Sequence, residues 1–420
     1  MKFKYIIIAL FLSGLFASCT EESGPSIDDY PLNYQIEPIA VTQDIPVGIY
    51  LYNPATALAN EAIWTRLTES HDEATGKVGP NVEPVLGKYT LGVNDEGAQN
   101  LQTLFNWCKD ARIDFIVSTG LKENANALYP NNINTGDSAF IRLISGQHAN
   151  YPVDMGDMKY AILMDINNFC SGLSNNALLE NAATQKYTYT DEDGIKRDTT
   201  LTREERLYNL FRRASDFFRD DTYFHLNGRP VLVLANPEKL FTAKSKEVYD
   251  GIRRTIREHT GKDVYLIARQ TQWTPPARFH DHFLSGGVDA VTMDNMCNVG
   301  AGYYERLYWL NQFINENFKY NREYISAHYG IDFIPSVAAS YNIYVNNGSY
   351  NSPIVSKNAD EFRKRCNVAK MNLGKTPLVL VESLNNWQYD AQIEPSVVRE
   401  GSSGYGTIYL DILKEQFKRN

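Results

Sequence analysis

Asp294 ends the apolar run Ala290–Asp294, and Glu382 stands near the end of the run Pro377–Leu384. Two carboxyl groups brought to one place can divide acid and base work across a single bond. Other run ends carry a different chemistry. Tyr52, Asp165, Asn167, Trp273, Asn295, Tyr341, Asn385, Asn386, Trp387 and Tyr389 all follow apolar segments, and Glu394 comes shortly after the last. Amides donate and accept at once, which suits vicinal hydroxyls, and aromatic faces cover the C–H face of a pyranose. Asn and Asp also terminate strands and cap helices for local reasons, so each alone is a weak sign. The set together points to a sugar-binding surface.

Other chemistries find less support. No G-x-S-x-G occurs, and the serines after apolar runs lack a histidine partner. His280 and His282 alternate on one segment and could share a metal, but no third ligand is evident, so no metal is expected. Cys108, Cys170, Cys297 and Cys366 have no zinc-like spacing, and their three possible pairings stay open. Gly286 and Gly287 precede an apolar run instead of following one, and no GxGxxG follows any run, so no cofactor is expected. A net charge of -9 with no basic run argues against nucleic acid as a partner. The arginines between Arg203 and Arg219 interleave with Leu207, Leu210, Phe211, Phe217 and Phe218, which is the solvated face of an amphipathic helix. Aromatic residues make up 12% of the chain, with 27 Tyr, an ample supply of stacking faces.

The residues at the run ends need elements to position them. The runs are Ile45–Tyr52, Asp114–Thr119, Tyr160–Ile166, Pro230–Ala235, Val264–Arg269, Ala290–Asp294, Phe333–Ala338 and Pro377–Leu384. They are β-branched and nearly continuously apolar, as strands buried on both faces are. Helical patterns alternate with them at Gly97–Ala111, Ser138–Ala149, Arg203–Arg219, Ala243–Thr260, Tyr303–Tyr324, Asn358–Leu373 and Tyr405–Phe417. Alternation of this kind predicts parallel βαβ units. Eight strands predict an α/β fold of the (β/α)8 TIM-barrel type in a single domain, with an open doubly wound sheet as the alternative. Long loops follow strands 1, 2 and 3, at Asn53–Asp95, Gly120–Asp137 and Cys170–Thr202. The charged turn Asp191–Gly194 in the third predicts a small hairpin.

The N-terminus concerns location. Lys2 and Lys4 precede the apolar run Tyr5–Phe16, too short to span a bilayer and of signal-peptide length. It leads into Leu-Phe-Ala-Ser-Cys, which resembles a bacterial lipobox with Cys19 as the lipidated residue. Thr20-Glu21-Glu22 resembles the export signal of surface lipoproteins of the Bacteroidetes. The expected organisation is a signal peptide over 1–18, an acylated Cys19 and flexible tether over 19–43, and the barrel over 44–420. That places the protein at the outer membrane, lipid-anchored and facing the cell surface.

The stretch Leu384-Asn385-Asn386-Trp387-Gln388-Tyr389-Asp390-Ala391-Gln392-Ile393-Glu394-Pro395 resembles the F-N-E-W-H-E-G-T-Q-I-E-P signature of glycoside hydrolase family 99 and its relatives. Pro84–Tyr89 with Ala111–Phe115 resembles the P-x-L-G-x-Y … A-G-I-D pattern of the same group. Asn227–Pro230 and Ile334–Val337 also fit, so the ordered set covers most of the chain after residue 43. The resemblance implies a (β/α)8 barrel, an endo-α-mannosidase-like ancestry and chemistry without a metal. The departures are as informative. The signature's two glutamates, which do the acid/base work in the family, are here Asn386 and Tyr389, and the glycine after them is Asp390. An amide cannot deliver a proton, and a phenol near its ordinary pKa is a poor base. Two expectations follow. One is a glycoside-hydrolase-like protein acting on a glycan through an acid pair relocated among Asp165, Asp294, Glu382 and Asp390, with Asp294 and Glu382 the best such pair. The other is a non-catalytic barrel that binds the glycan.

Overall fold

The computed structural model describes residues 32–52, 58–124, 133–191, 193–271, 277–298, 308–349 and 354–419. Cys19, the expected signal peptide and Trp273 lie outside the described residues. Eight parallel strands close on themselves: β1 (Val47–Leu51), β2 (Phe115–Lys122), β3 (Lys159–Asp165), β4 (Arg229–Ala235), β5 (Tyr265–Gln270), β6 (Ala290–Met293), β7 (Asp332–Ile334 continued by Ser336–Ala338) and β8 (Val379–Glu382). Each pairs with its neighbour in chain order, and β8 returns to β1 with Val47 opposite Val379.

Closure depends on a division of labour within β7. Its first half pairs with β6, with Asp332 opposite Ala290. Its second half pairs with β8, with Ser336 opposite Leu380. Pro335 sits between the halves and has no N–H to give either neighbour, while its carbonyl accepts from Leu380 N at 3.1 Å.

Inward positions alternate with outward ones along each strand. The lumen is filled by Tyr50, Phe115, Val117, Leu163, Val231, Val233, Tyr265, Ile267, Ile334, Leu378 and Leu380 among others. Gly48 lies opposite Phe115 in the register, and a Cβ there would overlap the Phe115 ring. Phe224 stacks on Phe115 at 3.8 Å and closes the lumen from below. The outward residues are equally apolar because helices cover them: α1 (Asp95–Asp110), α2 (Thr135–Ile144), α3 (Arg203–Ala214), α4 (Ser245–Thr260), α5 (Ala277–Gly286), α6 (Leu310–Tyr329), α7 (Ala359–Met371) and α8 (Ile408–Phe417). Helix α5 has no counterpart among the helical patterns read from sequence. Several helices start on side-chain caps, including a Thr202–Glu205 capping box at α3.

Residues 32–43, expected as tether, differ from that expectation in one respect: they run along the outside of the barrel. Tyr34 accepts from Asn315 and donates to Glu316 on α6, and Ile36 is buried. Ile39 N donates to Asn367 of α7 at 2.8 Å. In the long loop after β3, Gln185–Thr190 and Lys196–Leu201 form the expected antiparallel hairpin. All four described cysteines are free and buried.

Candidate active site

The inward parity that fills the lumen continues to its C-terminal rim. Positions 50, 265, 267, 378 and 380 point inward, so Tyr52, Arg269 and Glu382 do too, and Asp294 follows β6 on the same side. Arg269 reaches across the rim and gathers the others. Its Nε donates to Glu382 Oε1 at 2.7 Å, and its Nη2 lies 2.5 Å from both Glu382 Oε1 and Asp294 Oδ1. The same Nη2 donates to the Tyr52 hydroxyl at 3.3 Å, and that hydroxyl donates to Glu382 Oε2 at 3.3 Å. Beneath, the guanidinium lies 5.0 Å from the Tyr50 ring centre.

The electrostatics follow from this enclosure. Burial pushes the Glu382 carboxyl up to about 7, Asp294 adds to the rise, and Arg269 pulls against it. The two carboxylates hold Arg269 well above its ordinary value in spite of burial. Burial and the Glu382 charge raise the Tyr52 phenol, which keeps its proton and remains a donor.

Asp294 and Glu382 are thus brought together as the sequence suggested, but with a cation between them. Two contacts of 2.5 Å to one nitrogen hold the nearer oxygens no farther apart than twice that distance. That ceiling lies at the short edge of the separation of about 5–5.5 Å between carboxyl groups of retaining glycosidases. Yet the Glu382 side chain is 2% exposed and both its oxygens are engaged. Asp294 is 30% exposed, with Oδ1 also accepting from Asn295 N at 2.6 Å and no hydrogen bond to Oδ2 among the described residues.

The loop after β8 divides into displayed and buried groups. Asn386 is half-buried, and its side chain makes no hydrogen bond among the described residues. Tyr389 stacks on Tyr341 with ring centres 5.3 Å apart and planes 9° from parallel. Burial raises both phenols, and the Asp294 charge raises them further. The remaining groups are turned inward. Asn385 accepts from Tyr52 N at 2.8 Å and donates to Tyr52 O at 2.9 Å, fastening β1 to the loop. Trp387 and Glu394 are fully buried, so neither offers a surface to a ligand. Glu394 accepts from the Tyr89 hydroxyl at 2.6 Å, and burial pushes its carboxyl up to about 8. Asp390 has φ +51, in the left-handed region, which accounts for the glycine at this place in the family signature. Its Oδ1 accepts from the partly buried Lys357 at 2.5 Å.

Across the mouth, Asp165 Oδ1 accepts from Asn236 at 2.9 Å and Asn167 Oδ1 accepts from Lys239 at 2.6 Å. No hydrogen bond among the described residues joins this pair to the Arg269 cluster. Asn295 is buried, donating to Ser340 O and accepting from Cys297 N, and supports the rim from behind. Arg269 stands among the strand-end residues of the sequence, but its role as the clamp between the two acids could not be read there. Its signal was a cation ending a buried apolar run on lumen parity.

Closed parallel strands and a mouth of acid, amide and phenol define a glycoside-hydrolase-like (β/α)8 barrel. The solved structure of a glycoside hydrolase-like protein superposes with a TM-score of 0.73 at 27% identity, covering 94% of this chain and 99% of the other. A family 99 endo-α-mannosidase from Bacteroides thetaiotaomicron superposes with a TM-score of 0.54 at 12% identity, covering 90% and 97%, and shares the fold. The chain belongs to the family described as Glycosyltransferase WbsX, whose profile matches residues 184–412 and which falls in the clan of family 99 relatives. No curated protein matches the chain.

Proposed function

We propose that this protein holds a glycan at the C-terminal mouth of its barrel without cleaving it by a paired-carboxyl route. The observation that carries this reading is the position of Arg269, which binds Asp294 and Glu382 together and leaves Glu382 no free oxygen. A general acid must present its proton to the leaving oxygen, and a buried, doubly engaged carboxyl presents none. Asn386 and Tyr389 stand where the family's signature has its two glutamates. An unengaged amide, a phenol pair and the free Asp294 oxygen are groups that hold hydroxyls and ring faces. α-Mannosides are the first ligands to try, after the activity named for the Bacteroides neighbour.

One observation favours a second reading, hydrolysis by the relocated pair. The Asp294 and Glu382 oxygens are close enough for retention, and a carboxyl near 7 is suited to acid catalysis. A glycan array probed with the chain lacking residues 1–19, followed by mass analysis of every bound glycan, separates the readings. Intact glycan supports holding. Shortened products that vanish in Asp294→Asn and Glu382→Gln establish hydrolysis. Lengthened products in the presence of a sugar donor would establish transfer, the activity in the family's description.

We further propose that the glycan is held at the cell surface, with the chain anchored through lipid on Cys19. The support is the lipobox-like run into Cys19 and the acidic residues after it. Fatty-acid labelling of the full chain should be lost in Cys19→Ser, with the protein released from the membrane fraction. Unchanged labelling in that variant would remove this part of the reading.

A further inference from the structure

Asp390 carries a side chain in a left-handed conformation that glycine adopts more readily, so the partners of its carboxyl need an account. Oδ1 accepts from Lys357 and, at 3.1 Å, from Gln392. Lys357 also donates to the Asp390 carbonyl at 2.6 Å and to Ser340 Oγ at 2.9 Å, which uses all three of its hydrogens. Oδ2 is left over. It accepts no hydrogen bond among the described residues, although Asp390 is only 2% exposed.

Asp390 lines a cavity of about 370 Å³ bounded by the segments 78–82, 354–359 and 403–405. Neither the Arg269 cluster nor Tyr341, Asn386 or Tyr389 is among its lining residues. Asn342 lines it but is fully engaged: Nδ2 donates to Val78 O at 2.8 Å, and Oδ1 accepts from Tyr344 N at 3.0 Å. Tyr409 also lines it, is 3% exposed, and has no hydrogen bond to its hydroxyl among the described residues. Burial raises that phenol, which keeps its proton and can donate as well as accept. Val78, Val82, Ile354 and Tyr405 supply the apolar part of the lining.

These groups decide the chemistry of an occupant. A carboxylate oxygen only accepts, so Oδ2 calls for a donor. Lys357 already balances the Asp390 charge, so no cation is needed, and a second anion beside Oδ2 would be repelled. Hydroxyls donate without charge, and the C–H face of a sugar matches the apolar lining. Ligand pockets run from about 300 to 1,000 Å³, and this one, near the lower end, suits one or two sugar residues. We propose that the cavity is a binding site for a neutral mono- or disaccharide, separate from the mouth, with Asp390 Oδ2 and the Tyr409 hydroxyl engaging its hydroxyls. It stands whether or not the mouth holds a glycan.

The test is saturation-transfer NMR titration of the chain lacking residues 1–19 with D-mannose, D-glucose, D-galactose and N-acetylglucosamine, and with glucuronate as the anion. At least one neutral sugar should bind, and glucuronate should bind more weakly. Tyr409→Phe removes a hydroxyl that bonds nothing in the protein, so it should leave the denaturation midpoint unchanged and weaken the neutral sugar roughly threefold to tenfold. Ser356 is exposed and lines the cavity, so Ser356→Trp should fill it and abolish binding in a folded protein. Affinity unchanged in both variants would put the sugar elsewhere, the mouth included, and overturn the cavity site without touching the reading of the mouth. Glucuronate bound as tightly as the neutral sugars overturns the ligand class, and no signal from any neutral sugar overturns the site.

Discussion

At the scale of single residues, Arg269 decides the character of the mouth. Removing it by Arg269→Ala would leave two carboxyl groups at the rim, one of them buried, without their cation. The expected cost is about 3–5 kcal/mol of stability, read by chemical denaturation. Adding Glu382→Gln should recover a substantial part of that loss, because the variant then buries an amide in place of a charge. A cost under about 1 kcal/mol for Arg269→Ala would show that the cluster is wetter and less coupled than its geometry implies. Glu394 makes a separate prediction through pH. Its folded pKa of about 8 lies above the unfolded value, so the folded state holds the proton more tightly. The stability it contributes is fully present below the unfolded pKa, about 4.3, and is lost as pH rises through 8. Melting temperature should therefore fall between about pH 5 and pH 8.5, and Glu394→Gln should flatten that fall by several degrees. Glu382 pushes in the same direction with its window ending near 7, so the variant flattens the profile only in part.

At the scale of elements, the barrel was largely legible because each strand is buried on both faces and reads as an unbroken apolar run. The run Val264–Arg269 shows how far that legibility extends. Its apolar residues announced β5, and its terminal arginine carried no motif, because its partners come from β1, β6 and β8. Contacts between distant strand ends leave no local periodicity, whereas strands and amphipathic helices do. The interruption of β7 at Pro335 was hidden for the same reason: one continuous run covers both halves, and only the partners on either side distinguish them. The loop after β8 is a mixed case. Its sequence displayed Asn386 and Tyr389 at the signature positions, and left open whether the matching Trp387 and Glu394 bind sugar or keep the loop's shape; both are buried. Packing within the barrel also makes a prediction of its own. Gly48 leaves room for the Phe115 ring across the sheet, so Gly48→Val must displace that ring or move β1. We expect a loss of about 1–3 kcal/mol, the usual cost of overpacking, with partial recovery in Gly48→Val/Phe115→Leu. Additive losses in the double variant would show that the two positions do not share space.

At the scale of the whole molecule, the strap formed by residues 32–43 joins parts of the barrel that are distant in sequence. Helix α6 leaves the mouth end of β6 and descends to the start of β7, so its first turns lie near the mouth. Tyr34 is bound there by Asn315, Glu316 and Gln312. Farther along the strap, Ile39 N donates to Asn367, and its carbonyl accepts from Lys370 at 2.6 Å, both on the later turns of α7. The chain then enters β1 at the opposite end of the barrel. The strap therefore runs from the mouth side to the base, laid across α6 and then α7. It covers Asn315, whose side chain also accepts from Asn372, so its removal would expose a polar network as well as the apolar side of Ile36. A chain beginning at residue 44 should unfold at lower denaturant than one beginning at residue 32, by about 2–4 kcal/mol from the lost hydrogen bonds and buried isoleucine. Because the strap touches α6 and α7 and leaves the Arg269 cluster alone, the shortened chain should keep its ligand affinity at temperatures where it remains folded. Equal midpoints for the two chains would mean that residues 32–43 lie on the barrel without holding it. A shortened chain that is stable but no longer binds would move the strap from support to function.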